Sequence, residues 1–315
     1  MRACVLACVL SLPAYAADLP AVASGKIERI EAFASEFVPA RTVDVWLPDG
    51  YADDQRRYAV LYMHDGQMLF DAKVTWNHQE WQVDEVASTL IASGELRPFI
   101  VVGVHNGGDA RHSEYFPQKP FESLSKAQQE ALYALSRNQA PMYARTIDSD
   151  DYLRFLVQEL KPYVDAHYRV DPSPQATAVM GSSMGGLISM YALLEHPEVF
   201  GAAACLSTHW PGIFTLEDNP VPQAFLDYLD AHLPAPAAGR RIYFDHGTGT
   251  LDAMYPPLQA KVDALMRAKG YAEPQWVTRV YPGADHSEQA WAARLATPLR
   301  FLWGRPAEPE AKAAP

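Results

Sequence analysis

Six short, unbroken apolar runs constrain this chain most: "YAVLYM", "PFIVVGV", "ATAVMG", "GAAACLS", "RIYFDHG" and "QWVTRVYP", separated by segments with helical spacing. A strand with one face in water alternates polar and apolar residues, whereas a run that is apolar throughout has to be covered on both faces. Such runs alternating with helices predict an α/β fold with a mostly parallel central sheet and helices on both faces. The spacing places helices over 81–93, 151–167, 184–196, 222–232, 257–269 and 288–302. Upstream, "KIERIEAFAS" and "RTVDVWLP" alternate instead, with Val43, Val45 and Leu47 opposite Asp44 and Trp46, which predicts a leading antiparallel hairpin of half-exposed strands.

With 315 residues, 49% apolar and 20% charged, the chain is long and apolar enough for a sizeable core, and a single domain over 18–304 is expected. Lys and Arg number 26 against 38 Asp and Glu, a net charge of −12. That balance repels phosphate backbones and anionic lipid surfaces, so no nucleic acid partner is expected.

The opening "MRACVLACVLSLPAYAADLP" combines Arg2, an apolar stretch over 3–12 and Ala14-Tyr15-Ala16, the pattern of a signal peptide over residues 1–17 and hence of a periplasmic or secreted protein. The stretch is too short for the roughly 20 residues of a membrane span. Cys4 and Cys8 would leave with it, so Cys205 has no partner and no disulfide or cysteine-rich zinc site is expected. Between 105 and 148 the periodicity lapses into a polar segment with at most one short helix, over 126–136, the mark of a lid-like insertion. The tail 305–315 reads as disordered.

Gly181-Ser182-Ser183-Met184-Gly185 is a G-x-S-x-G motif between an expected strand and an expected helix, the context of a nucleophile elbow. There the middle residue, Ser183, sits on a strained turn with its hydroxyl exposed above the sheet edge. A serine hydroxyl is nearly inert at neutral pH, so it needs a base to take its proton and a carboxylate to orient that base. The elbow architecture puts acid and then histidine after the serine. His286, in "GADHSEQAW" after the last strand, is the expected base. Asp252, in the loop beyond "RIYFDHG", is the expected acid, ahead of Asp245 within the strand and Asp285 beside the histidine. Two N–H groups should face the developing oxyanion, each contributing about 3–4 kcal/mol: that of Met184, at the start of the helix, and that of Gln67, in "HDGQMLF". A rival reading makes His64, Asp65 and Asp71 metal ligands, but no second motif completes the set, and neither metal nor organic cofactor is implied.

The stretches "YAVLYMHDGQMLF", "VMGSSMGGLISMYALLEHPEVFGAAACLS", "FDHGTGTLDA" and "YPGADHSEQAWAARL" together resemble an esterase family of α/β-hydrolases. It holds esterase D-type S-formylglutathione hydrolases, feruloyl and acetylxylan esterases, siderophore trilactone esterases and mycolyltransferases. The resemblance runs from about 41 to 303 and implies an α/β-hydrolase fold. It matches Ser183, Asp252 and His286 to the triad and Gln67 and Met184 to the oxyanion hole, while 105–148 follows no one subfamily.

Trp76, Trp81, Tyr115, Phe116, His209 and Trp210 fall in loops that this topology brings to the carboxyl edge of the sheet, where ligands of open α/β sheets bind. Aromatic platforms there suit a sugar ring, a phenolic acid or an aryl siderophore; ordinary packing is the alternative. Arg111 beside Tyr115 either holds a substrate carboxylate or anchors the insertion through an internal ion pair. The expected function is a serine carboxylic-ester hydrolase acting on a small-molecule or carbohydrate ester. An acyltransferase with the same triad, a peptidase and a non-catalytic glycan-binding module are the rivals.

Overall fold

The computed structural model describes residues 19–305; the expected leader and the chain from 306 onward lie outside them. In chain order the strands are β1 (Lys26–Phe33), β2 (Arg41–Leu47), β3 (Ala59–His64), β4 (Phe99–Val104), β5 (Ser136–Arg137), β6 (Ala140–Pro141), β7 (Thr177–Ser182), β8 (Ala202–Leu206), β9 (Arg241–His246) and β10 (Trp276–Val280). The α-helices are α1 (Val83–Ala92), α2 (Arg111–Tyr115), α3 (Gln118–Glu122), α4 (Lys126–Tyr133), α5 (Ser149–Arg154), α6 (Lys161–His167), α7 (Met184–Glu195), α8 (Val221–His232), α9 (Pro256–Ala268), α10 (Glu288–Ala292) and α11 (Ala296–Trp303).

Eight strands form one sheet in the order β1-β2-β4-β3-β7-β8-β9-β10. β1 pairs antiparallel with β2 and β2 with β4, while the six strands foreseen as apolar runs are mutually parallel. Within them successive side chains divide between the two faces, as the pleat requires. Val60, Tyr62, Val102, Val179 and Ala203 join one buried cluster; Leu61, Met63, Val101, Ala178, Met180 and Ala204 join the other. This is the mostly parallel α/β architecture that the apolar runs predict. No helix among the described residues is long and apolar enough to cross a membrane.

Four local expectations need correction. β2 is not half-exposed: Trp46 packs on the second face against Phe99, and Asp44 is buried with Arg29 and His105 as partners. Its alternation therefore separates two cores rather than core from water. β10, read as buried on both faces, is an edge strand whose last two residues are exposed. The helix expected over 288–302 is two helices, α10 and α11, because the ring of Pro298 clashes with the carbonyl four residues back, that of Arg294.

The segment 105–148 carries three short helices, α2–α4, and the β5–β6 hairpin, rather than one helix. Five-residue helices are too short to print a period, and their cohesion comes from tertiary packing. Tyr115, Phe116, Phe121, Leu132, Met142 and Tyr143 are all in the core. Underneath, the Glu114 carboxylate is fully buried and accepts two hydrogen bonds from Arg41, at 2.7 and 2.8 Å, and one from Arg145 at 2.8 Å. The body of the insertion is thus pinned to β2.

Removing one member of such a buried pair strands the other charge, at a cost of about 3–5 kcal/mol. Glu114→Ala is expected to lower unfolding stability by that amount in a urea titration. A loss below about 1 kcal/mol would show that the pair does not pin the insertion.

Candidate active site

The turn from β7 into α7 is unusually tight. A Cβ on Gly181 would lie 2.8 Å from the backbone of Gly185, so only glycine lets the strand end and the helix start touch. Between them Ser183 is held at φ 58°, ψ −122°, a conformation that costs a non-glycine residue about 1–3 kcal/mol. Its neighbours hold it there. The Ser183 N–H donates to Leu206 O at 2.9 Å, and its carbonyl accepts from the N–H groups of Gly186, Leu187 and His209. Met184, the first helical residue, presents one of the N–H groups that a helix start leaves without an intrahelical partner.

A second tight turn follows β3. A Cβ on Gly66 would meet the carbonyl carbon of Gly103 at 2.5 Å, which seats the Gly66–Met68 turn on β4 and brings Gln67 into the cleft that Ser183 and Met184 line. Asp65, just before this turn, accepts two hydrogen bonds from Arg111 (2.6 and 2.7 Å) and one from Asn106 (2.7 Å). Burial drives the Asp65 carboxyl upward, but the Arg111 charge and these hydrogen bonds overcome it and hold it below the usual carboxylate range. Arg111 is therefore the internal anchor of the insertion.

His286 and Asp252 meet: Nδ1 of the imidazole lies 2.6 Å from Oδ1 of the fully buried carboxylate. The other oxygen, Oδ2, accepts from the Ser207 hydroxyl at 2.5 Å and from the Gly247 N–H at 2.6 Å. Ser207 in turn accepts from Trp291 Nε1 at 3.0 Å and Arg294 Nη2 at 2.7 Å. Indole and guanidinium are donors only, so both lone pairs of the hydroxyl are occupied and its single proton is directed at Asp252. Asp245 is engaged elsewhere, by Arg294, Tyr243 and the Ser207 N–H, and Asp285 bonds Ser287.

The Tyr255 hydroxyl lies 2.8 Å from Nδ1 of His209, and its ring stands 6.0 Å from that of His286. Ser183, Met184, Gln67 and His286 share one cleft of about 410 Å³. Trp76, Trp81, Arg111 and His209 line it too, with Trp76 81% exposed at the rim and Trp81 packed on Trp291.

Tyr115, Phe116 and Trp210 do not line it. Tyr115 and Phe116 lie under α2, the former against His64 and Tyr152, the latter against Phe225. Trp210 turns inward onto Phe244 with its N–H donated to Gln259, while the preceding His209 faces the cleft. The three residues of the metal-ligand reading each have partners within the protein. His64 is buried against Tyr152, Asp65 is taken by Arg111, and Asp71 accepts the N–H groups of Ala21 and Lys73. Among the described residues no three metal-ligand side chains gather. Sequence reasoning missed Ser207, Tyr255, Arg294, His112, Arg137 and Phe214. For Ser207 a signal existed, since it follows the end of β8 as Ser183 follows that of β7.

A strained hydroxyl, a carboxylate-oriented imidazole and two candidate N–H donors in one cleft form a constellation suited to acyl transfer. The family model described as "Putative esterase" matches residues 35–302. The Bacillus subtilis (strain 168) protein YbbA is 22% identical over 275 residues, 84% of this chain and 93% of its own length. A ferulic acid esterase from Anaeromyces mucronatus is structurally similar with a TM-score of 0.59 at 18% identity, over 91% of this chain and 93% of that one. The enterobactin esterase of Shigella flexneri gives 0.60 at 19%, over 90% of this chain and 61% of that one. The chain belongs to this esterase family, on an α/β-hydrolase fold, and ester hydrolysis is the chemistry that membership supports.

Proposed function

We propose that the protein is a serine carboxylic-ester hydrolase that works through an acyl-enzyme. Ser183 Oγ attacks the ester carbonyl while His286 takes its proton, and the N–H groups of Met184 and Gln67 receive the charge that develops on the carbonyl oxygen. His286 then protonates the leaving alcohol. Water, deprotonated by the same imidazole, releases the acid and restores the serine. Asp252 fixes the tautomer of His286 through Nδ1 and stabilises the imidazolium. The hydrogen bond between His286 and Asp252 at 2.6 Å, in the cleft that holds Ser183, carries this reading.

The cleft's tryptophan rim suits an ester of an aromatic or ring-bearing partner, as the names of the ferulic acid and enterobactin esterases suggest for those proteins. The exposed Trp76 leaves the rim open to water, which favours hydrolysis over acyl transfer to an alcohol. Export to the periplasm or beyond, after removal of residues 1–17, belongs to the same proposal, as does a single catalytic domain over 18–304.

Across a panel of 4-nitrophenyl esters, methyl ferulate and acetylated sugars, Ser183→Ala is expected to lower kcat by about a thousandfold or more on every substrate cleaved. Full activity of that variant would refute the assignment. Ser207→Ala removes a donor from Asp252 and leaves the Trp291 N–H without its acceptor, while Arg294 keeps Asp245, so kcat should fall about tenfold with KM nearly constant, and stability by about 1–3 kcal/mol. An unchanged kcat would mean that Ser207 does not position the acid.

A further inference from the structure

The residues lining the cleft fall into two knit groups. On the first flank His286 packs on Trp291, Trp291 on Trp81, and Asn77 donates to Glu288 at 2.8 Å. Because His286 protonates the leaving group, this flank takes the alcohol half of an ester. The second flank is built on Phe214, whose ring lies 5.3 Å from that of His209 and 6.2 Å from that of His112. The guanidinium of Arg137, on β5, sits 3.7 Å over the same ring. This flank is left for the acyl half.

Two polar groups of the second flank have no hydrogen-bond or ion-pair partner among the described residues. The cleft holds two guanidinium groups, and Arg111 is consumed by Asp65. Arg137 has no carboxylate within 4.0 Å among the described residues, although the chain carries a net charge of −12. His209 lines the cleft, and its buried Nε2 has no hydrogen-bond partner among the described residues, which leaves it free to bond a ligand. Nδ1 lies 2.8 Å from the Tyr255 hydroxyl, and in the tautomer in which it accepts from that hydroxyl Nε2 carries the proton and can donate to a ligand. Burial, with the nearby Arg111 and Arg137 charges added, holds His209 well below the usual imidazole range. Burial and the two arginines likewise push His112 down to about 4. Both imidazoles thus stay uncharged at neutral pH, and the cation of the flank is the guanidinium.

We propose that the Arg137–Phe214–His209 flank is an acyl-side anion subsite, and that the preferred substrates are esters whose acid half ends in a second, free carboxylate. Arg137 pairs with that carboxylate, His209 donates to it through Nε2, and Phe214 supports the methylenes between it and the scissile carbonyl. The inference rests on the serine-esterase reading above. It adds a selection by charge that this reading does not require, since Ser183 and His286 act on neutral esters equally well.

The test uses the mature protein and mono-4-nitrophenyl esters of glutaric, adipic and pimelic acid, each beside the neutral 4-nitrophenyl ester of the same acyl length. The wild type is expected to show kcat/KM about tenfold higher for the best anionic ester than for its neutral match, the worth of one charge-assisted contact. The advantage should shrink as salt screens it. In Arg137→Gln the ratio should fall to near one, and in Arg137→Glu it should invert; both substitutions lie at an exposed position, where folding is not at stake. A wild-type ratio at or below one, or a ratio that survives Arg137→Glu, would overturn the subsite while leaving the esterase reading intact. No hydrolysis of any ester would overturn both.

Discussion

The contact between the backbones of Gly181 and Gly185 is the constraint on which the rest of the site depends. Strand β7 and helix α7 approach so closely there that Ser183 must take a positive φ, and its side chain leaves the sheet edge rather than joining either face. Strain of this kind recurs. Asp65, Ser207 and Thr250 also have positive φ, and each lies just past the carboxyl end of a central strand, β3, β8 and β9 respectively. Each such residue costs about 1–3 kcal/mol and persists only where surrounding structure over-determines it. Here the surroundings are two buried clusters on opposite sheet faces, and α7, buried along all but its last residue within the first of them.

The buried carboxylates show how the fold separates anchoring from chemistry. Asp44, Asp65, Glu114 and Asp245 each meet an arginine directly, at 2.6–3.0 Å. Asp252 does not. Its oxygens take the Ser207 hydroxyl, the Gly247 N–H and His286, while Arg294 stands 4.0 Å away on the far side of Ser207. A guanidinium bonded straight to Asp252 would spend the carboxylate's charge on a permanent partner. The interposed hydroxyl satisfies the buried oxygen, fixes its direction and leaves the negative charge available to an imidazolium. The strained φ of Ser207, 42°, places this spacer.

Much of this was legible in the residues. Five of the six apolar runs specified the parallel sheet because burial on both faces leaves no other pattern, the sixth, β10, being the edge strand, and G-S-S-M-G between a run and a helical period located the turn. Chain order led from Ser183 to Asp252 and His286. The failures have equally physical causes. Helices α2 and α3 span five residues each and carry no period; tertiary contacts with Arg41 and the core decide them. A single-residue alternation in "THW" decides that His209 faces the cleft and Trp210 the interior, and aromatic content alone does not show which. Arg137 lies far in sequence from every other site residue, and only the β5–β6 hairpin carries it over Phe214.

In the proposed mechanism one hydroxyl, that of Ser183, becomes the acyl carrier. Intact-mass and peptide-mass measurement after treatment with a 4-nitrophenyl alkylphosphonate tests it most directly, because phosphonylation requires an activated serine and leaves a stable bond. One adduct per chain, on Ser183, is expected, and its loss in His286→Ala. An adduct on Ser182 or elsewhere, or undiminished labelling without His286, would contradict it.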